Sequence, residues 1–148
     1  MNTTNTTTTT TTTLYSARDD QGKLLLRVLL ASLLLFHGVS KLFGGVGFIT
    51  GMLEKMGLPG AFGYLVYIGE MVAPLLILVG LYTRAAAVVV AINMVVALLL
   101  VHSAEIFTLN STGGWAIELQ GMYLGAALVV ALLGAGSYSI GGTTGHFN

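Results

Sequence analysis

The sequence predicts an all-α fold, a polytopic membrane four-helix bundle with a short interfacial helix between the first and second spans. Charged residues make up only 8% of the 148-residue chain, against roughly 25% in an ordinary soluble domain. Hydrophobic residues make up 55%, and the mean hydropathy is +0.86. The chain also contains four apolar runs of about 20 residues, the length at which a helix crosses a hydrocarbon core. So few charges could not cover a soluble surface, so we expect an integral membrane protein.

Charge and cysteine content exclude several classes of function. The formal net charge is zero, with six basic and six acidic residues. There is no basic patch of the kind that binds nucleic acid. The chain has no cysteine, which removes disulfides, thiol nucleophiles, zinc–thiolate sites and a dithiol relay from these residues. We expect no metal site.

The apolar runs divide the chain. We predict a disordered threonine-rich tail over 1–22, a four-helix membrane domain over 23–141 and a polar tail over 142–148. The predicted spans are 24–43, 62–82, 84–102 and 116–135. The segment 48–56 has apolar residues at helical spacing but is too short to cross a membrane, so we interpret it as an interfacial helix. Pro74 is expected to kink the second span.

Four spans place both termini on one side of the membrane. The basic residues on that side outnumber those on the other, which favours a multi-pass cell-membrane protein with cytoplasmic N- and C-termini. The basic residues are, on the side of the termini, Arg18, Lys23, Arg27 and Arg84, and on the other, Lys41 and Lys55. We expect Arg27 and Arg84 to snorkel toward the cytoplasmic headgroups.

With this topology, five ionisable side chains from four helices fall in one layer in the outer half of the membrane. They are the candidate catalytic residues: His37, Lys41, Glu70, His102 and Glu118. A charged side chain near the bilayer centre costs roughly 2.5–3.5 kcal/mol on insertion scales. Glu70 should have the highest free-energy cost of insertion, because its short side chain does not reach water easily. It should pair with Lys41 or His37, or remain protonated.

Each residue of the layer also has a structural interpretation. Lys41 alone is more simply a snorkelling residue at a helix end, and His102 an interfacial one. Glu118 could favour a helix N-terminus, and Asn93 could hold two helices together by a hydrogen bond. For Glu70 the functional interpretation is favoured, because a carboxylate in the middle of a membrane helix marks a functional site by default.

The order and spacing of these residues resemble the DoxX family of small four-helix membrane proteins. The resemblance covers about residues 24–141. The residues that carry it are His37-Gly38-Val39-Ser40-Lys41, Gly57-Leu58-Pro59, Glu70, Gly80-Leu81-Tyr82-Thr83-Arg84, His102, Glu118 and the segment 134–140. The chain departs from the family pattern at Ala135 and Gly141, neither of which lies in the polar layer.

The resemblance implies a fold more firmly than a reaction. The family is named for a membrane subunit of an archaeal quinone-reducing thiosulfate oxidoreductase, and other members are linked to quinone, catechol or thiol stress. The first hypothesis is therefore a quinone-linked oxidoreductase or a membrane subunit of a redox complex, with electrons from a partner redox protein or a bound cofactor. His37, Glu70 and His102 would donate protons, and Lys41 would stabilise negative charge on a reduced ring.

Two further possibilities stay open. His37 and His102 could instead ligate a haem, which is less favoured than quinone because most unpaired membrane histidines are not ligands. The second hypothesis is a non-catalytic anchoring or assembly partner, or a carrier of a small lipophilic molecule. In that case the polar layer is a structural ion-pair network. The oligomeric state, the substrate and the electron donor are not indicated by the sequence.

Overall fold

The computed structural model describes residues 4–143, 145, 147 and 148, with side chains from residue 17 onward. These residues form five α-helices and, apart from one isolated bridge between Leu109 and Trp115, no β-structure. The predicted all-α fold is confirmed. The helices are α1 (Thr4–Gly44), α2 (Gly47–Lys55), α3 (Ala73–Val79), α4 (Thr83–Leu100) and α5 (Glu118–Leu133).

Three helical segments are long and apolar enough to cross a membrane: Ala17–Gly44, Gly60–Val79 and Thr83–Leu100. They match the first three predicted spans. The fourth predicted span, 116–135, corresponds to α5, an apolar helix of 16 residues. The short helix expected between the first two spans is also present, as α2. This architecture is that of a helical membrane bundle.

The described residues near the two ends of the chain include part of a helix and a buried side chain. Helix α1 begins at Thr4, inside the stretch expected to be a disordered tail, although β-branched threonine is a weak helix former. Residues 1–3, 144 and 146 lie outside the described residues. Near the other end Asn148 is buried, and its Oδ1 accepts a 2.9 Å hydrogen bond from the Thr83 hydroxyl at the start of α4. The division into domains stays a prediction.

Small residues bring the helices close together. Ala86, Ala87 and Ala91 on α4 are buried within this chain, whereas Ala85 is exposed. Helix α4 packs most extensively against α5, while α1 contacts α3 and α5. The buried core residues are Leu30, Ala31, Leu34, Ala73, Ile77, Ala86, Ala87, Val90, Ala91, Met94, Tyr123, Ala127 and Val130. Close approach through alanine and glycine is the usual basis of helix packing in membranes, where lipid supplies little hydrophobic drive.

The second span, Gly60–Val79, is not a uniform helix. It begins as a 3₁₀ helix (Gly60–Leu65), contains a π-helical turn (Ile68–Val72) and ends as α3. The π turn lies directly before Pro74, whose missing N–H removes an α-helical hydrogen bond. A π turn inside an α-helix is frequent at functional sites, and here it carries Glu70, the residue expected to be functional.

Arg27 is the clearest correction to the sequence analysis. It was expected to snorkel to the headgroups, but it is only 1% exposed. Its guanidinium donates to the carbonyls of Ile77 and Leu78, at 2.9 and 3.1 Å, and to those of Ala135 and Tyr138 beyond α5. The reason is that the C-terminal end of a helix presents unpaired carbonyls with partial negative charge. Arg27 therefore joins α1 to the ends of α3 and α5.

Candidate ligand cavity

One cavity of about 740 Å³ lies among the helices, within the size range of small-molecule sites. Helices α1, α2, α4 and α5 and the second span all contribute to its walls. Most of the wall is apolar, and several wall residues on the second span and α4 are also exposed at the outer surface. They include Phe62, Leu65, Ile68, Ile92 and Val96. In a bilayer this opening would face lipid, so a lipophilic molecule could enter from the side.

Four of the five candidate catalytic residues line this cavity: His37, Lys41, Glu70 and His102. They come from α1, the second span and the turn after α4, as the predicted polar layer requires. Glu118 does not line it. Its side chain is exposed at the start of α5 and lies against Gly114 of the preceding loop. The fold therefore brings four of the five residues to one cavity and leaves the Glu118 carboxylate outside it.

Lys41 and Glu70 form an ion pair, with Lys41 Nζ 2.5 Å from Glu70 Oε2. The Glu70 side chain is 7% exposed and that of Lys41 is 28% exposed. Of the alternatives expected for Glu70, which were pairing with Lys41, pairing with His37 or remaining protonated, the structure shows the contact with Lys41. The charge-assisted bond holds an otherwise costly carboxylate in a buried position.

The backbone is shaped to allow this pairing. A Cβ at Gly38 would lie 2.5 Å from the carbonyl oxygen of Glu70, so only glycine lets α1 approach the π turn so closely. One turn further along, the hydroxyl of Tyr67 donates to the Lys41 carbonyl at 3.0 Å. The motif from His37 to Lys41 therefore has a packing role at Gly38 as well as polar residues on either side.

His37 contacts Tyr123 of α5. The tyrosine hydroxyl lies 3.3 Å from His37 Nε2, and the two rings meet edge to face with centroids 5.7 Å apart. Tyr123 is 8% exposed, and both side chains line the cavity. A histidine and a phenol in contact can exchange a proton, so this pair is suited to general acid–base chemistry.

His102 has partners on both ring nitrogens. Its Nδ1 lies 2.8 Å from Glu105 Oε2, and its Nε2 lies 3.0 Å from Gln120 Nε2 of α5. His102 follows α4, whose last residue is Leu100, so the short turn after the helix positions the ring. Binding a haem iron through His102 would require the loss of one of these two contacts. Within the described residues no cluster of three His, Asp or Glu side chains could hold a metal ion.

Two amide side chains complete the polar part of the cavity. Asn93 Nδ2 and Gln120 Oε1 are buried and have no hydrogen-bond partner among the described residues. Asn93 lies against Gly69, where a Cβ would be 2.4 Å from its Cγ. An unpaired buried polar atom costs free energy, so two of them at one cavity indicate a place where a polar ligand group could bind.

Sequence reasoning missed Gln120 and Tyr123 as cavity residues. Gln120 is a polar residue near the start of the fourth predicted span, and Tyr123 is one aromatic residue in an apolar helix. The available signal is their spacing, because residues i and i+3 share a helix face. That face also includes the buried Ala127 and Val130.

Comparison with known proteins places the chain in a family. A family model described as DoxX matches residues 22–103, more than half of the 148 residues. The chain belongs to the DoxX family. The matched region of this DoxX protein contains His37, Lys41, Glu70 and His102, and the resemblance stated from the sequence is confirmed. The matched region ends at residue 103, before α5, so the family match does not cover Gln120 or Tyr123.

A similar curated protein is the one named "Putative oxidoreductase CatD" from Bacillus subtilis (strain 168). It is 30% identical to this DoxX protein over 103 residues, which are 70% of this chain and 76% of the relative. No solved structure matches the chain. Family membership and the apolar helices together make this DoxX protein a membrane protein.

Proposed function

We propose that this DoxX protein binds a lipophilic quinone in the cavity and supplies protons for its reduction, as an oxidoreductase or as the membrane subunit of one. The observation that carries the proposal is the composition of the cavity described above. It opens through apolar walls, and its polar part brings together His37, Lys41, Glu70 and His102. An apolar ring with polar substituents fits such a site.

The reaction would be a two-electron, two-proton reduction. The two ring carbonyls of a quinone become the two hydroxyls of a quinol, so each oxygen gains one proton. The His37–Tyr123 pair would deliver one proton, and the His102 side of the cavity would supply the other. Lys41 would stabilise negative charge on the partly reduced ring, held in position by Glu70.

The electrons would come from a partner redox protein. The 148 residues include no cysteine that could form a dithiol relay, and the cavity residues move protons rather than electrons. The similar Bacillus subtilis protein is itself named an oxidoreductase, which supports the redox class.

The proposal includes an orientation in the cell membrane. With cytoplasmic termini, the polar part of the cavity lies in the outer half of the bilayer, near the end of α4 and the start of α5. The excess of basic residues on the side of the termini supports this arrangement. The exposed apolar surface of α1 and the second span, which includes Phe36 at 72% exposure, would face lipid.

A second candidate is a carrier or assembly partner without a reaction of its own. The cavity supports a carrier as well as it supports an oxidoreductase, since both need a lipophilic ligand. The Lys41–Glu70 pair also connects α1 to the second span, as a structural ion pair would. The two candidates differ in whether Glu70 and His37 are needed for redox turnover once the ligand is bound.

The test is to purify the protein in mild detergent, extract it with solvent and measure quinone by chromatography. Glu70→Gln removes the charge that holds Lys41 in position, and His37→Ala removes a polar group from the cavity wall. Each should lower the retained quinone by roughly three- to tenfold, the factor for one hydrogen bond. Glu54→Gln is the matched control, because Glu54 is exposed on α2 and does not line the cavity. Protein that is free of quinone and that binds no added quinone would contradict the proposal.

If quinone is bound, turnover separates the two candidates. The purified protein with a chemical or enzymatic electron donor should reduce the bound quinone, and His37→Gln should slow the reduction more than it weakens binding. A protein that retains quinone but shows the same reduction rate in His37→Gln and in Glu54→Gln would instead support the carrier.

A further inference from the structure

The His102 imidazole lies between a carboxylate that faces outward and an amide at the cavity wall. The carboxylate belongs to Glu105, which is 51% exposed, and is 2.8 Å from Nδ1. The amide belongs to Gln120, whose Nε2 is 3.0 Å from the histidine Nε2. Both His102 and Gln120 line the cavity, whereas Glu105 does not.

Hydrogen-bond direction fixes how these groups pair when His102 is neutral. An ionised carboxylate only accepts, so His102 Nδ1 carries the hydrogen that Glu105 accepts. The Nε2 of a neutral ring is then an acceptor, and Gln120 must offer it an N–H. This is the arrangement in the structure, and it leaves Gln120 Oε1 buried with no partner in the described part of the chain.

Protonation of His102 reverses the requirement. Both ring nitrogens of an imidazolium are donors, so the N–H groups of Gln120 can no longer face Nε2. The amide then has to turn over, with Oε1 accepting from Nε2. The group left without a protein partner changes from a carbonyl oxygen, which accepts, to an NH₂, which donates.

We propose that Gln120 is a specificity-determining residue for the ligand and that His102 sets which end of its amide is available. With neutral His102, Gln120 offers an acceptor, which matches a quinol hydroxyl. With protonated His102, Gln120 offers a donor, which matches a quinone carbonyl. The inference rests on the proposed function, and it assigns to Gln120 the choice between oxidised and reduced ligand.

Other titratable groups lie around the same cavity. They are His37 and Lys41 of α1, Glu70 of the second span, Tyr123 of α5 and, beside His102 itself, Glu105. Glu118 lies on α5 outside the cavity. Several of these groups would change the affinity for both redox forms together. The informative quantity is therefore the ratio of the two affinities, which depends on the direction of a hydrogen bond.

The experiment measures the binding of a decyl-tailed benzoquinone and of its quinol to the detergent-purified protein, under anaerobic conditions. The pH would run between about 5 and 8, where a histidine changes charge. As pH rises, the affinity for quinol relative to quinone should increase by roughly three- to tenfold, the factor contributed by one hydrogen bond. The preference should be for quinone at the acidic end.

Three variants isolate the cause. Gln120→Met keeps the apolar length of the side chain and should make the ratio independent of pH. Glu105→Gln, on the exposed turn, releases the ring tautomer and should reduce the change in the ratio. His37→Gln should weaken the binding of both redox forms and keep the change in the ratio, because His37 contacts Tyr123 rather than Gln120.

Two outcomes would overturn the inference: a ratio that does not change with pH in the unmodified protein, or a Gln120→Met variant that keeps the full change. Either result would leave the proposed function standing, since both probes still bind. If neither probe binds at any pH, the proposed function fails with the inference.

Discussion

Lys41 and Glu70 are 29 residues apart in sequence, and their side chains meet at 2.5 Å at the edge of the cavity. The contact exists because Gly38 has no Cβ and because the second span makes a π turn at Ile68–Val72. A lysine near the end of one helix and a carboxylate inside the next thus become one charge pair. The pair connects α1 to the second span and also lines the cavity.

Removing one member of this pair should cost more stability than removing both. Lys41→Met leaves the Glu70 carboxylate buried without a partner, and we expect a loss of roughly 1.5–3 kcal/mol. In the double variant Lys41→Met with Glu70→Leu, the uncompensated charge is gone, so much of the stability should return. Thermal unfolding in detergent would measure both. Equal destabilisation by the single and double variants would argue against a buried charge pair.

Gly38→Ala should damage the site through packing alone. The added Cβ would meet the Glu70 carbonyl and the Met71 side chain, which should destabilise the bundle by roughly 1–3 kcal/mol and lower ligand retention. Gly125→Ala on α5 is the matched control, since nothing lies within 4 Å of its added Cβ. That control should be neutral or slightly stabilising, because alanine is the better helix former. If Gly38→Ala and Gly125→Ala had the same stability and ligand retention, the close approach of α1 to the π turn at Gly38 would not be needed for the site.

Arg27→Leu should lower the free energy of unfolding more than the same change at an exposed arginine does. It removes the guanidinium donor from four carbonyls, two at the end of α3 and two in the segment after α5, so we expect a loss of at least about 3 kcal/mol. Arg18→Leu, at an exposed position on the same helix, should change stability by less than about 0.5 kcal/mol. An Arg27→Leu variant as stable as Arg18→Leu would show that the guanidinium contacts contribute nothing.

Glu118→Gln distinguishes the cavity from the broader polar layer. The sequence grouped Glu118 with the cavity residues by depth, whereas the structure places it outside the cavity, exposed beside Gly114. We therefore expect the retained ligand to change by less than about twofold, within the range of surface substitutions. A loss of retained ligand as large as that in Glu70→Gln would show that Glu118 contributes to the ligand site.

The sequence predicted the helices well because apolar length and composition decide them locally. It also placed Glu70 at the depth of Lys41 and His37, as a partner of one of them or as a protonated group, since depth along two antiparallel helices can be counted. It did not predict the role of Arg27. A long basic side chain near the end of a predicted span has two ways to satisfy its charge, by reaching the headgroups or by binding helix-end carbonyls. Only the position of α3 and of the segment after α5 decides between them.

The hydrogen-bond partners of His37 and His102 could not be predicted from the sequence either. Tyr123 and Gln120 lie on α5, and which face of α5 turns toward α1 and α4 depends on tertiary packing. Asn93 could be recognised as unusual in an apolar helix, but only the fold shows that its Nδ2 is buried without a partner among the described residues. The chemistry of the site therefore depends on residues that have no local pattern.

The most direct test of the central claim is photolabelling with a quinone that carries a photoreactive group, followed by peptide mass spectrometry. The account predicts label on buried cavity residues from different helices, such as Leu34, Met94 and Tyr123, and its loss when unmodified quinone competes. Label confined to outward-facing residues such as Phe36 or Leu132, or label that competitor does not displace, would contradict a ligand site in this cavity.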